Sequence, residues 1–271
     1  LNALTSLFHT DTTCTLSELV SFLQVIALMF QHAPPRSSRA SDKCFSHLVL
    51  SLGPMAMHFP TLTKPIVEVL VCVCQYRPHM LRPFDVPRIL ALLGILLGPR
   101  LAEPVDEHDA SAIFGGICGV LRSLIRHRKD LIKPCLPHLT EILSQQWRLL
   151  SHASSAHTGM AIERQIHASM PCWLNMVVSP LGLDAAQALR RVLSELAGKT
   201  SVIHVSKKAK PHTPNMNETL AKSMTKHAVY ILVAYARCVT MPHTTIAPNL
   251  RQEILPGLFA LCDICGDFER D

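Results

Sequence analysis

Apolar residues recur at intervals of three and four along almost the whole chain, and alternation with a period of two never persists. That spacing gathers large side chains on one stripe of a helix, whereas a half-buried strand would need them at every second position. A chain patterned this way can bury its apolar surface only by laying helix against helix.

The helix ends are written into the same stretches. Thr15-Leu16-Ser17-Glu18 has capping-box spacing and predicts a helix to about Gln31. Ala33-Pro34-Pro35-Arg36-Ser37-Ser38 reads as a loop. Ser41 or Asp42 caps the next helix, which Pro54 is expected to bend or end. A third helix is expected from about Thr61 to Gln75, with Pro65 in its first turn. Pro87 to Leu97 is apolar all round, as in a central helix. The acidic linker Pro104 to Asp109 favours the N-terminus of a helix from Ala110 to Ile125. Pro134 to Ser151 continues the pattern, and a Ser-, His- and Ala-rich loop follows to Gly159. A helix over about Met160 to Val178, interrupted by Pro171, precedes one from Leu183 to Ala197 that Gly198 closes.

Residues 200–217 break the period, carry Lys207, Lys208, Lys210, Pro211 and Pro214, and are expected to form a mobile basic loop. In the long helix from about Glu218 to Thr240, Leu220, Met224, Ala228, Ile231, Leu232, Tyr235 and Val239 form one apolar stripe. Lys222, Lys226, Tyr230 and Arg237 lie opposite it. The last helix starts near Asn249, which has capping-box spacing to Gln252, and Pro256-Gly257 is expected to kink or split it.

Helices pairing at roughly 35–50-residue intervals predict an all-α fold, an irregular α-solenoid of HEAT- or armadillo-like hairpins, with a compact helical bundle as the alternative. Residues 1–271 read as a single helical-repeat-like unit. The start at Leu1 and the helical pattern still running near Asp271 read as a C-terminal fragment of a longer chain.

Composition narrows the function classes. Hydrophobic residues are 48% and charged ones 17%, so much of the chain must be covered by itself or by partners. Aromatics are only 5%, which suits helix packing better than sheet cores. No stretch approaches the ~20 nearly uncharged residues of a membrane span, and no membrane role is expected. The 10 cysteines sit mostly inside apolar helical runs such as Cys72, Cys74, Cys118, Cys172 and Cys238. There a free thiol behaves as a small hydrophobe, which favours a reducing compartment.

No pattern of catalysis stands out, and no cofactor, metal or small-molecule substrate is expected. Cys262-Asp263-Ile264-Cys265 is a lone pair where zinc needs about four ligands, and it shares a helix face with Leu258 and Leu261, as core packing would require. Gly115-Gly116 lacks the Gly-Lys-Ser/Thr of a phosphate loop and reads as a close helix–helix approach. Glu103, Asp106, Glu107 and Asp109 read as a solvated acidic linker.

Two basic clusters are the candidate sites for RNA or a partner. The first is Arg122, Arg126, Arg128, Lys129 and Lys133, of which Arg122, Arg126 and Lys129 share a helix face. The second runs from Lys199 to Lys226, through Lys207, Lys208, Lys210 and Lys222, against Glu218 alone. Phosphates reward such groups through counterion release, but an ordinary solvated surface is the competing reading. The net charge of +6 is modest.

From Lys226 the chain reads Lys226-His227-Ala228-Val229-Tyr230-Ile231-Leu232-Val233-Ala234-Tyr235-Ala236-Arg237. Leu250-Arg251-Gln252-Glu253-Ile254-Leu255-Pro256-Gly257-Leu258-Phe259-Ala260-Leu261-Cys262-Asp263-Ile264-Cys265 follows. This resembles the C-terminal domain of the nucleolar pre-ribosomal RNA processing family called unhealthy ribosome biogenesis protein two. The resemblance implies a non-catalytic scaffold in early large-subunit (pre-60S) maturation, in the nucleus and nucleolus. It implies docking of ribosome assembly factors, an RNA helicase among them, with pre-rRNA as a further candidate partner. A generic HEAT-like adaptor in transport or signalling is the alternative.

Overall fold

A computed structural model describes residues 15–32, 39–99, 108–153, 169–175, 180–198, 216–241 and 244–266. The fold is all-α. The helices are α1 (Leu16–His32), α2 (Arg39–His58), α3 (Thr63–Tyr76), α4 (Asp85–Leu97), α5 (His108–His127), the single turn α6 (Lys129–Ile132), α7 (Leu136–Leu149), α8 (Leu183–Leu196), α9 (Met216–Thr240) and α10 (Pro248–Gly266). The expected absence of strand structure is amended by a two-residue antiparallel pair, β1 (His152–Ala153) with β2 (Thr244–Thr245), in register His152 to Thr245.

With the single turn α6 left out, neighbours in space are next-but-one among the described helices. α1 packs on α3, α3 on α5, α5 on α8 and α8 on α10, and these form one row. α2 packs on α4, α4 on α7 and α7 on α9, and these form a second row, which meets the first again where α9 packs on α10. One continuous apolar core runs between the rows. Its largest side chains, Trp147, Trp173, Phe45 and Phe114, are fully buried, and burial of each such group contributes roughly 1.5–3 kcal/mol. Trp147 on α7 meets Tyr235 on α9 edge to face, with ring centroids 5.2 Å apart.

Three contacts within the first row, α3–α5, α5–α8 and α8–α10, carry a device that the side chains dictate. Gly116 on α5 faces Val67 on α3 so closely that a Cβ there would lie 2.4 Å from Val67 Cγ1. Gly257 on α10 sits in the same way against α8, with its Cβ position 3.1 Å from Leu193 Cβ. Ion pairs then bridge the helices at their flanks. Lys64 on α3 meets Asp109 on α5 at 2.5 Å, Arg122 and Arg126 on α5 converge on Glu195 of α8, and Arg190 on α8 meets Glu253 on α10 at 3.1 Å.

A further device occurs twice. Arg77, after α3, and Arg128, after α5, have nearly identical backbone angles (φ −132°, ψ 42° and φ −133°, ψ 48°), and each leads into a one-turn helix. Arg77 Nε donates to the Phe30 carbonyl at the end of α1, 3.0 Å away. Arg128 Nη1 donates to the Pro78 carbonyl at 2.9 Å and to that of Leu81, just beyond α3. Carbonyls at and beyond a helix C-terminus lack intrahelical partners, so the arginines satisfy the Phe30 and Leu81 carbonyls left by the preceding helix of the row, while the Pro78 carbonyl also accepts the Leu81 N–H.

Several boundary expectations need correction. Pro54 lies inside α2, which runs on to His58. The buried Leu52, Met55 and Ala56 around it offset the ~3 kcal/mol an internal proline costs. Pro256 likewise lies inside α10, which it does not split. That helix starts at Pro248, so Asn249 is a helical residue rather than a cap. The expected helix around Pro171 is absent from residues 169–175, which form turns and an extended bridge. Trp173 there is buried, and its indole Nε1 donates to the Leu96 carbonyl at 2.7 Å, closing the end of α4. The rest of residues 160–178 expected to be helical lies outside the described residues, apart from residue 169 and the segment just discussed.

Other expectations hold. Thr15 N–H donates to Glu18 Oε2 at 2.8 Å and Glu18 N–H returns to Thr15 Oγ1 at 3.4 Å, both halves of the capping box. Gly198 ends the α8 segment at φ +67°. Among the described residues, no helix is long and apolar enough to cross a membrane.

Candidate functional site

The first basic cluster lies at the end of α5 and in the connection to α7. Arg122 and Arg126 are one turn apart, which aims both guanidinium groups at the same carboxylate, Glu195 Oε1, with Arg122 Nη2 at 3.5 Å. The Glu195 side chain is only 11% exposed, so these two arginines are engaged between α5 and α8. Arg128 is engaged too. Besides its two carbonyl partners, its Nε and Nη2 grip Asp130 at 3.2 and 3.1 Å. The guanidinium holds the Asp130 carboxyl below its usual range. Lys129 is half-buried and Lys133 exposed, and neither forms an ion pair among the described residues. The expected shared face of Arg122, Arg126 and Lys129 is therefore split, with the arginines turned to structural work and the lysines left to solvent.

The second cluster divides as well. Lys207, Lys208 and Lys210, with the loop expected at 200–217, fall outside the described residues except where α9 begins at Met216. Lys222 and Lys226 are exposed on α9, as their placement opposite the apolar stripe requires. On that stripe Leu220, Met224, Ala228 and Ile231 are buried, and Leu232, Tyr235 and Val239 are half-buried.

Two surface features escaped the sequence reading. The outer faces of α9 and α10 expose large apolar groups. Val229, Tyr230 and Val233 project from α9 and Leu255 and Phe259 from α10, with Tyr230 67% and Phe259 61% exposed. Helical spacing marks them only as lying off the buried stripe, and the pairing of α9 with α10 brings the two helices together. The other feature is the turn before α4. Phe84 there is 43% exposed and carries two guanidinium groups, with Arg82 Cζ 6.0 Å and Arg88 Cζ 5.1 Å from the ring centroid. The turn is set by the fully buried Asp85, whose Oδ2 accepts the Arg82 backbone N–H at 2.9 Å.

Two of the buried thiols are muted. Burial pushes the Cys74 and Cys118 thiols up to about 12, far from the thiolate that nucleophilic chemistry needs. Cys118 Sγ instead accepts from Gln146 Nε2 at 3.4 Å. The core packing expected of Cys262 and Cys265 holds for Cys265, which is half-buried against the core, and not for Cys262, which is exposed. Among the described residues, no three His, Cys, Asp or Glu side chains gather to hold a metal. An open groove of about 280 Å³ between α4 and α7 is lined by Leu90, Gly94, His138, Glu141 and Gln145. Gly116 makes the close helix approach expected of the Gly115-Gly116 pair, while a Cβ at Gly115 would meet nothing within 4 Å.

A family model described as the Urb2/Npa2 family matches residues 64–271 of the chain. No curated protein and no solved structure matches it.

Proposed function

The chain belongs to the Urb2/Npa2 family, which implies a role in ribosome biogenesis, and on that premise we propose that it is a non-catalytic scaffold acting in early large-subunit maturation in the nucleolus. The observation that carries the scaffold reading is the exposed apolar face of α9 and α10. Tyr230, Val233 and Phe259 stand out from helices whose opposite sides are already packed. Exposed apolar groups on two helices that pack on each other, rimmed by charges, suit a protein-docking surface. Lys222, Lys226 and Arg237 on the same helix supply such a rim.

The two rows of next-but-one neighbours, and the arginine clamp that recurs at Arg77 and Arg128, favour a solenoid over a closed bundle. A solenoid presents long helical flanks rather than a single cleft, and such flanks suit assembly factors, an RNA helicase among them. Pre-rRNA is the second partner in this reading, held through Lys129, Lys133 and the 207–210 lysines. Tagged chain purified from cells should carry large-subunit precursor RNA and assembly factors, and its depletion should let unprocessed precursor accumulate. Clean purification with neither class of molecule, together with normal precursor levels after depletion, refutes the reading.

A further inference from the structure

We propose that the turn between α3 and α4, together with the α5–α7 connection, forms a patch that binds single-stranded RNA, with Phe84 and its two arginines as the stacking platform and Lys129 and Lys133 as phosphate contacts. The choice of RNA as the polyanion rests on the ribosome-biogenesis reading above; the patch itself rests on geometry.

The two segments are held side by side by Arg128. Its guanidinium donates to the Pro78 and Leu81 carbonyls of one segment from the start of the other. This brings the segment that carries Arg82, Phe84 and Arg88 next to the one that carries Lys129 and Lys133. Asp130, half-exposed, is already gripped by Arg128, and Asp85 is fully buried under its own turn. Lys129 and Lys133 thus stand without an ion pair among the described residues. Lysines alone would suit any polyanion. The distinguishing feature is the exposed Phe84 ring with guanidinium groups 5.1 and 6.0 Å from its centroid. Planar groups of this kind stack on unpaired bases, whose faces a duplex hides, while lysines and arginines neutralise the adjoining phosphates. Preorganisation adds to the fit, since Asp85 fixes the Arg82 backbone and Arg88 emerges from the first turn of α4.

The test is fluorescence anisotropy of the chain with a labelled uridine strand of about 15 nucleotides, in the size range of single-strand binders. Duplex RNA of equal length and polyglutamate serve as comparisons. Single strand should bind more tightly than duplex. Phe84→Leu should weaken single-strand binding by roughly ten-fold, as loss of one stacked base does, and Phe84→Tyr should restore it. Lys129→Glu with Lys133→Glu should weaken both RNAs and flatten the salt dependence by roughly 0.7 in log–log slope for each phosphate released. Melting of every variant should match the parent, because the altered groups are exposed or half-exposed. The proposal is overturned by no binding, by binding indifferent to both sets of variants, by equal loss on duplex and single strand for Phe84→Leu, or by polyglutamate competing as well as RNA. If precursor RNA and assembly factors still co-purify from cells in any of those cases, this patch fails and the biogenesis reading stands; if they do not, both fail.

Discussion

Gly115 and Gly116 are neighbours on α5, both half-buried, and substitution of each by alanine should move stability in opposite directions. Removing a glycine from a helix interior stabilises by about 1 kcal/mol when nothing else changes. At Gly115 nothing lies within 4 Å of the added Cβ, so Gly115→Ala should recover most of that gain. At Gly116 the added Cβ would sit 2.4 Å from Val67 Cγ1, where ordinary contact begins near 3.4 Å. Val67 is buried, and its β-branched side chain holds one dominant rotamer in a helix, so it cannot swing clear cheaply. Overpacking of this kind costs about 1–3 kcal/mol, and a full ångström of overlap belongs at the upper end. The net loss for Gly116→Ala is then about 2 kcal/mol. Val67→Ala alone should also cost about 2 kcal/mol through lost methyl burial. The double variant should do better than the sum, because the new Cβ lies 3.8 Å from Val67 Cβ, an ordinary contact that refills the space. A coupling of about 2 kcal/mol is expected in a denaturant-melt cycle. Additive losses, or a Gly116→Ala chain as stable as Gly115→Ala, would refute the tight α3–α5 approach.

Other perturbations probe separate parts of the fold. Ile231→Asp should destabilise by about 3 kcal/mol or more, because it places an unpaired charge in the core, while Tyr230→Asp one residue away should change melting little. Arg128→Met should cost about 1–3 kcal/mol in denaturant melts by orphaning the Leu81 carbonyl, the Pro78 carbonyl keeping the Leu81 N–H, and Arg77→Met should act similarly on Phe30. The hydrogen bond to Asp109 raises the Lys64 pKa above its ordinary 10.5. Its stabilising contribution is therefore full below that value and fades as pH climbs through the raised pKa. Lys64→Met should flatten that alkaline decline in a stability–pH profile, modestly because the pair is part-exposed.

Local signals carried far in this chain where they were self-contained. The Thr15–Glu18 box, the positive-φ Gly198 and the Leu220–Ile231 stripe depend on a few residues of near sequence, and each formed as its pattern required. At the prolines only the ending and the splitting were ruled out, because local cost competes with distant packing: the helix runs past Pro54, whose neighbours are buried against the core, and Pro256 stays within α10. The segment around Pro171 followed neither period, since what places it is the Trp173 bond to α4. Charges were the least legible. Arg122, Arg126 and Arg128 looked like free surface cations, yet their partners, Glu195 and the 78–81 carbonyls, are far away along the chain. Phe84 stood between prolines with no periodic signal, and only the turn closed by Asp85 brings Arg82 and Arg88 to its ring.

The most direct measurement is quantitative recovery of large-subunit assembly factors and precursor RNA on tagged chain from cells, comparing the parent with a Tyr230→Asp, Phe259→Asp double variant whose melting is unchanged. Recovery of assembly factors should fall to background for the variant and remain high for the parent. Equal recovery from both, with the fold intact, would contradict docking through the α9–α10 face.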